Sequence, residues 1–161
     1  MQFKFLANAI IATGILLGTA HAQAKLLESR METYQVEAVQ GQETLHSITE
    51  TQPGNILEYR LVYTSHANKP LSIQYISVPV PENTQYMAAS AKTAVISTFR
   101  VSIDDGKTWE TEPVIRQRKD KNGEVKEVTI PASEYTHLRW QEQNAIAPGA
   151  QQVFNYRVKV E

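Results

Sequence analysis

The stretch Pro53-Gly54-Asn55-Ile56-Leu57-Glu58-Tyr59-Arg60-Leu61-Val62-Tyr63-Thr64 decides the fold class. Pro-Gly-Asn is turn chemistry, because Pro presets φ and Gly accepts the left-handed conformation. Beyond it, Leu57, Tyr59, Leu61 and Tyr63 point one way, and Glu58, Arg60, Val62 and Thr64 point the other. A period of two with β-branched and aromatic residues is a half-buried strand.

The same period recurs outward from this segment. Phe154, Tyr156, Val158 and Val160 alternate with Asn155, Arg157 and Lys159. Phe99, Val101 and Ile103 alternate with Arg100 and Ser102, and Tyr34, Val36 and Ala38 with Gln35, Glu37 and Val39. In Leu71–Val80 the apolar set changes phase: Leu71, Ile73 and Tyr75 share one face, and Ile76, Val78 and Val80 the other. That phase change predicts a bulge, or a strand buried on both faces. Turn clusters at Asn68-Lys69-Pro70, Asp104-Asp105-Gly106, Asn122-Gly123 and Pro148-Gly149 separate the runs. Asn122-Gly123 has the chemistry of a two-residue hairpin turn inside a charged hairpin from Val114 to Ile130. About nine strands are expected. The best helix candidate is Lys25–Glu37, which Tyr34 and Val36 argue against. Many short strands with frequent turns predict one all-β domain, an antiparallel β-sandwich.

The N-terminus predicts where the chain goes. Met1-Gln2-Phe3-Lys4 is followed by an uncharged run from Phe5 to Ala20, then by Ala20-His21-Ala22. A positive start, an apolar stretch and small residues at −3 and −1 define a cleaved signal peptide, with the scissile bond between Ala22 and Gln23. The expected organisation is a signal peptide over 1–22, N-terminal strands or an extension over 23–48, and a sandwich over 49–161. No transmembrane span is expected in the mature chain. The protein is expected in the periplasm, or alternatively secreted or on the cell surface.

Composition narrows the chemistry. The 161 residues carry a formal net charge of −1 and no cysteine. Disulfides, thiol catalysis and Cys-ligated metals are excluded, and the charge balance offers nothing to nucleic acid. Histidines 46, 66 and 137 lack metal-ligand spacing, and no Gly-x-Ser-x-Gly elbow or phosphate loop occurs. No catalytic residue, no metal site and no cofactor is expected.

The order of turns resembles a bacterial surface-protein module, the "conserved repeat domain", domain of unknown function number eleven. Pro53–Thr64 is similar to its Pro-Gly-Asp opening, with Asn55 in place of Asp. Pro79-Val80-Pro81-Glu82-Asn83-Thr84-Gln85-Tyr86 is similar to its Pro-x-Pro-x-x-Thr-x-Tyr element, and Leu138-Arg139-Trp140 with Ala147-Pro148-Gly149 to its closing element. The likeness spans roughly residues 49–161. It implies an immunoglobulin-like sandwich in a cell-envelope setting and brings no active site with it.

Two clusters remain as candidate contacts. Ser102-Ile103-Asp104-Asp105-Gly106-Lys107-Thr108-Trp109 resembles the Asp-box of sialidases and other propellers, a structural turn away from their catalytic centres. In one copy it reads as a hairpin in which Asp104, Asp105, Gly106 and Trp109 are structural, or alternatively bind a small ligand or carbohydrate. Arg116, Arg118, Lys119 and Lys121 form a basic cluster that could meet an anionic envelope polymer. The expected function is that of an exported, non-catalytic accessory or protein-interaction module whose partner is an envelope protein or polymer. Mass spectrometry of the native protein should find an N-terminus at Gln23 or Lys25. An intact Met1 on membrane-held protein would refute the cleavage.

Overall fold

A computed structural model describes residues 26–48, 50–119 and 121–161. The segment expected to be a signal peptide, with its Ala22–Gln23 bond, lies outside the described residues. The strands are β1 (Leu27–Val39), β2 (Gln42–Ser47), β3 (Ile56–Ser65), β4 (Ile76–Pro79), β5 (Thr84–Tyr86), β6 (Lys92–Thr93), β7 (Ser97–Ser102), β8 (Ile115–Lys119), β9 (Val125–Thr129), β10 (His137–Glu142) and β11 (Gln151–Val160). A single 3-10 turn covers Ala132–Glu134. Beyond the nine strands expected, β5 and β6 are short segments that edge β11.

All ladders are antiparallel. A six-stranded sheet runs β2-β1-β3-β11-β5, with β6 also on β11, and a three-stranded sheet runs β4-β10-β7. Their inner faces meet in one core. Leu57, Leu61, Phe154, Tyr156 and Val158 enter it from the larger sheet, and Ile76, Val78, Val101, Leu138 and Trp140 from the smaller. The Trp140 indole lies 5.7 Å from the Phe154 ring, 6.3 Å from Tyr156 and 5.3 Å from Phe99, centroid to centroid.

Three local expectations are corrected. Leu27–Val39 is a strand and not part of a helix. Its period-two pattern is satisfied on both sides, against β3 from Leu27 to Val36 and against β2 from Tyr34 to Val39. Gln40 and Gly41 both have positive φ, 51° and 80°, which gives this hairpin the two-residue turn that suits strand twist. Residues 27–47 are therefore built into the larger sheet. Second, the phase change near Tyr75 is neither a bulge nor a doubly buried strand. Leu71 makes only an isolated bridge to Ile146, the ladder begins at Ile76, and Tyr75 turns outward, 48% exposed. Third, β8 and β9 do form the charged hairpin, but Lys119 pairs with Val125, so the connection spans 120–124 and is longer than two residues. Buried Val114 and Ile130 anchor its base, with the Ile130 N–H donating to the Val114 carbonyl at 2.8 Å.

The outer face of the larger sheet is neutralised by its own charges. Glu58, 6% exposed, accepts from Arg60 Nε at 2.9 Å and from Arg157 Nε at 3.0 Å. Arg157 also forks onto both oxygens of Glu43, at 3.0 and 2.8 Å. Arg60 lies 4.9 Å over the Tyr34 ring, Tyr34 donates to Glu32 at 3.0 Å, and Arg30 donates to Glu32 at 2.9 Å. A carboxylate this deep is tolerable because it is paired and fully hydrogen-bonded.

Trp140→Ala should lower stability by about 3–5 kcal/mol, the range for truncating a buried Trp with incomplete collapse. Denaturant titration checks this; a loss well below ~1 kcal/mol would mean that the two sheets do not meet at this indole.

Candidate functional site

The Asp104 turn is built from its own side chains. Ser102 Oγ donates to Asp104 Oδ1 at 2.7 Å and accepts from the Gly106 N–H at 2.9 Å. The Thr108 N–H donates to Asp104 Oδ1 at 2.8 Å, and Thr108 Oγ1 to Oδ2 at 2.6 Å. The Thr108 hydroxyl and N–H, followed by the Ser102 hydroxyl, hold the Asp104 carboxyl down to about 2. Asp105 diverges from Asp104. It is exposed, with φ of 59°, and its N–H donates to Thr136 Oγ1 at 3.0 Å. Gly106 has φ of 79°, and a Cβ there would sit 3.5 Å from the Trp109 ring.

Trp109 is half-buried on the outside of the three-stranded sheet and not in the core. Its ring meets His137 edge-on at 6.5 Å, and the Arg139 guanidinium carbon lies 3.7 Å from its centroid. Arg139 is covered on its other side by Tyr75, at 4.3 Å. Arg139 Nε donates to Ser77 Oγ on the adjacent strand at 2.8 Å. The guanidinium is thus held between two aromatic rings and anchored at one nitrogen. Burial pulls its pKa down.

Strand register adds a second cation. Leu138 and Trp140 point inward, so Arg139 points outward, and its partner across the β10–β7 ladder is Arg100, which is exposed. Like charges directly opposite one another on a sheet repel. Every arginine of the larger sheet (Arg30, Arg60 and Arg157) has a carboxylate partner. Among the described residues, neither Arg100 nor Arg139 has one within 4.0 Å.

The remaining candidates contribute no contact to the Arg139 stack. Arg116 is engaged by Glu110, which takes it from the basic cluster; exposed Arg118 and Lys119 lie on β8, and Lys121 in its turn. His46 lies 3.0 Å from Thr44 Oγ1 and His66 2.9 Å from Glu28, and neither shares a site with His137. Among the described residues no group of three or more His, Asp or Glu is placed to hold a metal ion, and no helix is long and apolar enough to cross a membrane. A concavity of about 380 Å³ lined by Gly54, Gln85, Lys159, Val160 and Glu161 shares no residue with the arginine face. Comparison with protein-family models, with curated proteins and with solved structures gives no match.

Sequence reading had singled out Asp104, Asp105, Gly106 and Trp109, and the structure places all four in one turn. Arg139, Arg100 and Tyr75, which the structure places beside that turn, are not among the residues that the sequence singles out. The available signal was an arginine between inward-facing residues in two strands, Leu138-Arg139-Trp140 and Phe99-Arg100-Val101.

Two outcomes follow for the turn. Gly106→Val should cost about 1–3 kcal/mol, because a β-branched residue must adopt a left-handed φ. For Asp104, the folded pKa lies below the ordinary 3.8, so its contribution to stability is present above pH 3.8 and is lost as pH falls toward about 2. Denaturation profiles of Asp104→Asn should be flatter than the parent's across that window. Parallel profiles would show that the turn does not need the charge.

Proposed function

We propose that this chain is an exported, non-catalytic binding module of the bacterial cell envelope. Its working surface is the outer face of the three-stranded sheet, where Tyr75, Arg139, Arg100 and Trp109 lie together. The observation that carries this reading is the cross-strand arginine pair without a carboxylate, on a protein that neutralises the opposite face residue by residue. An uncompensated like-charge pair is a cost that a bound anionic partner removes.

The carboxylates nearest the Asp104 turn, and Glu58 on the opposite face, are engaged by the protein itself. Asp104 is saturated by its own turn, Glu110 is engaged by Arg116, and Glu58 is held by two arginines. The Asp104–Trp109 hairpin then has a positioning role, because it lays the indole against Arg139.

The signal-peptide pattern of residues 1–22 supports export, and the resemblance to the conserved repeat domain supports an envelope setting. The immunoglobulin-like reading is supported by two facing antiparallel sheets with a buried Trp on the middle strand of the smaller one. In this connectivity the last strand, β11, lies beside β3, in the opposite sheet from β10.

The purified chain should sediment with isolated envelopes, and Tyr75→Asp and Arg100→Glu, both at exposed positions, should abolish this while melting like the parent. Sedimentation that both variants retain would overturn the assignment of this face.

A further inference from the structure

The working face has a geometry that selects a ligand chemistry. Arg139 has its two planar surfaces covered by Tyr75 and Trp109, at 4.3 and 3.7 Å, and its Nε committed to Ser77. The edge carrying Nη1 and Nη2 is left, and no protein acceptor among the described residues meets it. Two parallel N–H donors on a rigid fork match the two oxygens of a carboxylate. The side chain is already immobilised, so little rotamer entropy remains to be lost on binding. Arg100, directly across the ladder, adds a second positive charge to the same spot.

Three further features bear on what carries the carboxylate. First, this face centres on β10, which is paired to β4 on one side and to β7 on the other. The backbone of β10 is spent, so an extended peptide could join as a strand only at the β4 or β7 edge, and recognition at Arg139 itself rests on side chains. Second, Tyr75 covers Arg139 with one surface of its ring and is 48% exposed. Its open, electron-rich surface suits the C–H face of a sugar ring. Third, the face is the outside of a sheet, where a lone small molecule would stay mostly solvated. A polymer that repeats the same group compensates by rebinding.

We propose that Tyr75, Arg139, Arg100 and Trp109 form a subsite for the carboxylate of an acidic polysaccharide, a uronate-type chain. The proposal rests on the assignment of this face as the working surface and gives it a ligand class. It also moves the contact with an anionic polymer away from the β8–β9 hairpin, where Arg116 is engaged by Glu110.

The test is interferometry with immobilised polygalacturonate, its fully methyl-esterified form and poly-L-glutamate, run in parallel at low and at physiological salt. The expected result is salt-sensitive binding to polygalacturonate that is at least about tenfold weaker for the ester and for poly-L-glutamate. Arg139→Lys keeps the charge and removes the fork, and it should weaken binding by about tenfold or more. Arg118→Ala, on the hairpin, should leave binding unchanged. If Arg139→Lys does not fold, Arg100→Gln at an exposed strand position supplies the same readout.

Equal binding to poly-L-glutamate would overturn the saccharide assignment in favour of an acidic protein partner. A loss with Arg118→Ala that Arg139→Lys does not match would overturn it in favour of the hairpin. No binding to any of the three polymers, with envelope sedimentation still sensitive to Tyr75→Asp, would overturn the carboxylate ligand and leave the working face standing. If sedimentation is insensitive as well, both fail together.

Discussion

The contact between Trp140 and the rings of Phe154, Tyr156 and Phe99 is the joint on which this sandwich depends. The smaller sheet has three strands, and β4 is only four residues long. It has little area with which to hold itself against the larger sheet, and the largest side chain it can offer is an indole at the centre of its middle strand. With Trp140 and Leu138 fixed inward, period-two geometry fixes Arg139 outward. The position of the Arg139 face is therefore a consequence of core packing: the residue that joins the sheets determines which neighbour faces solvent.

The two outer faces solve opposite problems. On the larger sheet, Glu43, Arg157, Glu58, Arg60, Tyr34, Glu32 and Arg30 form a continuous run of complementary contacts. That run also ties the β1–β2 hairpin to the last strand. On the smaller sheet, the arginines face each other across a ladder, and among the described residues only aromatic surface and one hydroxyl meet Arg139. Stability is served on the first face, and a charge is left available on the second. The distinction would be invisible in net charge, which is −1 for the whole chain.

Much of the fold was legible because one face of most strands is buried and the other wet. Leu57–Tyr63 and Phe154–Val160 alternate cleanly for that reason. The β1 segment was ambiguous since Glu28, Arg30 and Glu32 mask the alternation with charges that belong to the outer network. Tyr75 broke the pattern because its place is set by Arg139 and not by the core. At the site, Asp104–Trp109 could be read because its hydrogen bonds are local, within a few residues of chain. Arg139 could not. A single arginine between two apolar residues reads as an ordinary solvated position, and what makes it unusual is the register that sets it opposite Arg100 and the fold that brings Tyr75 and Trp109 to its two sides.

The placement of β11 has a consequence for folding. The last strand in the sequence lies inside the larger sheet, with β3 on one side and β5 and β6 on the other, and it contributes Phe154, Tyr156 and Val158 to the core. Until those residues arrive, the partners of Trp140 are missing and β3 has an open edge. Most of the pairing that closes the core is long in sequence separation, the kind that forms late and slowly. The ladder that seats Phe154 beside Leu61 joins segments far apart in the described chain, so the core closes only when both are in place.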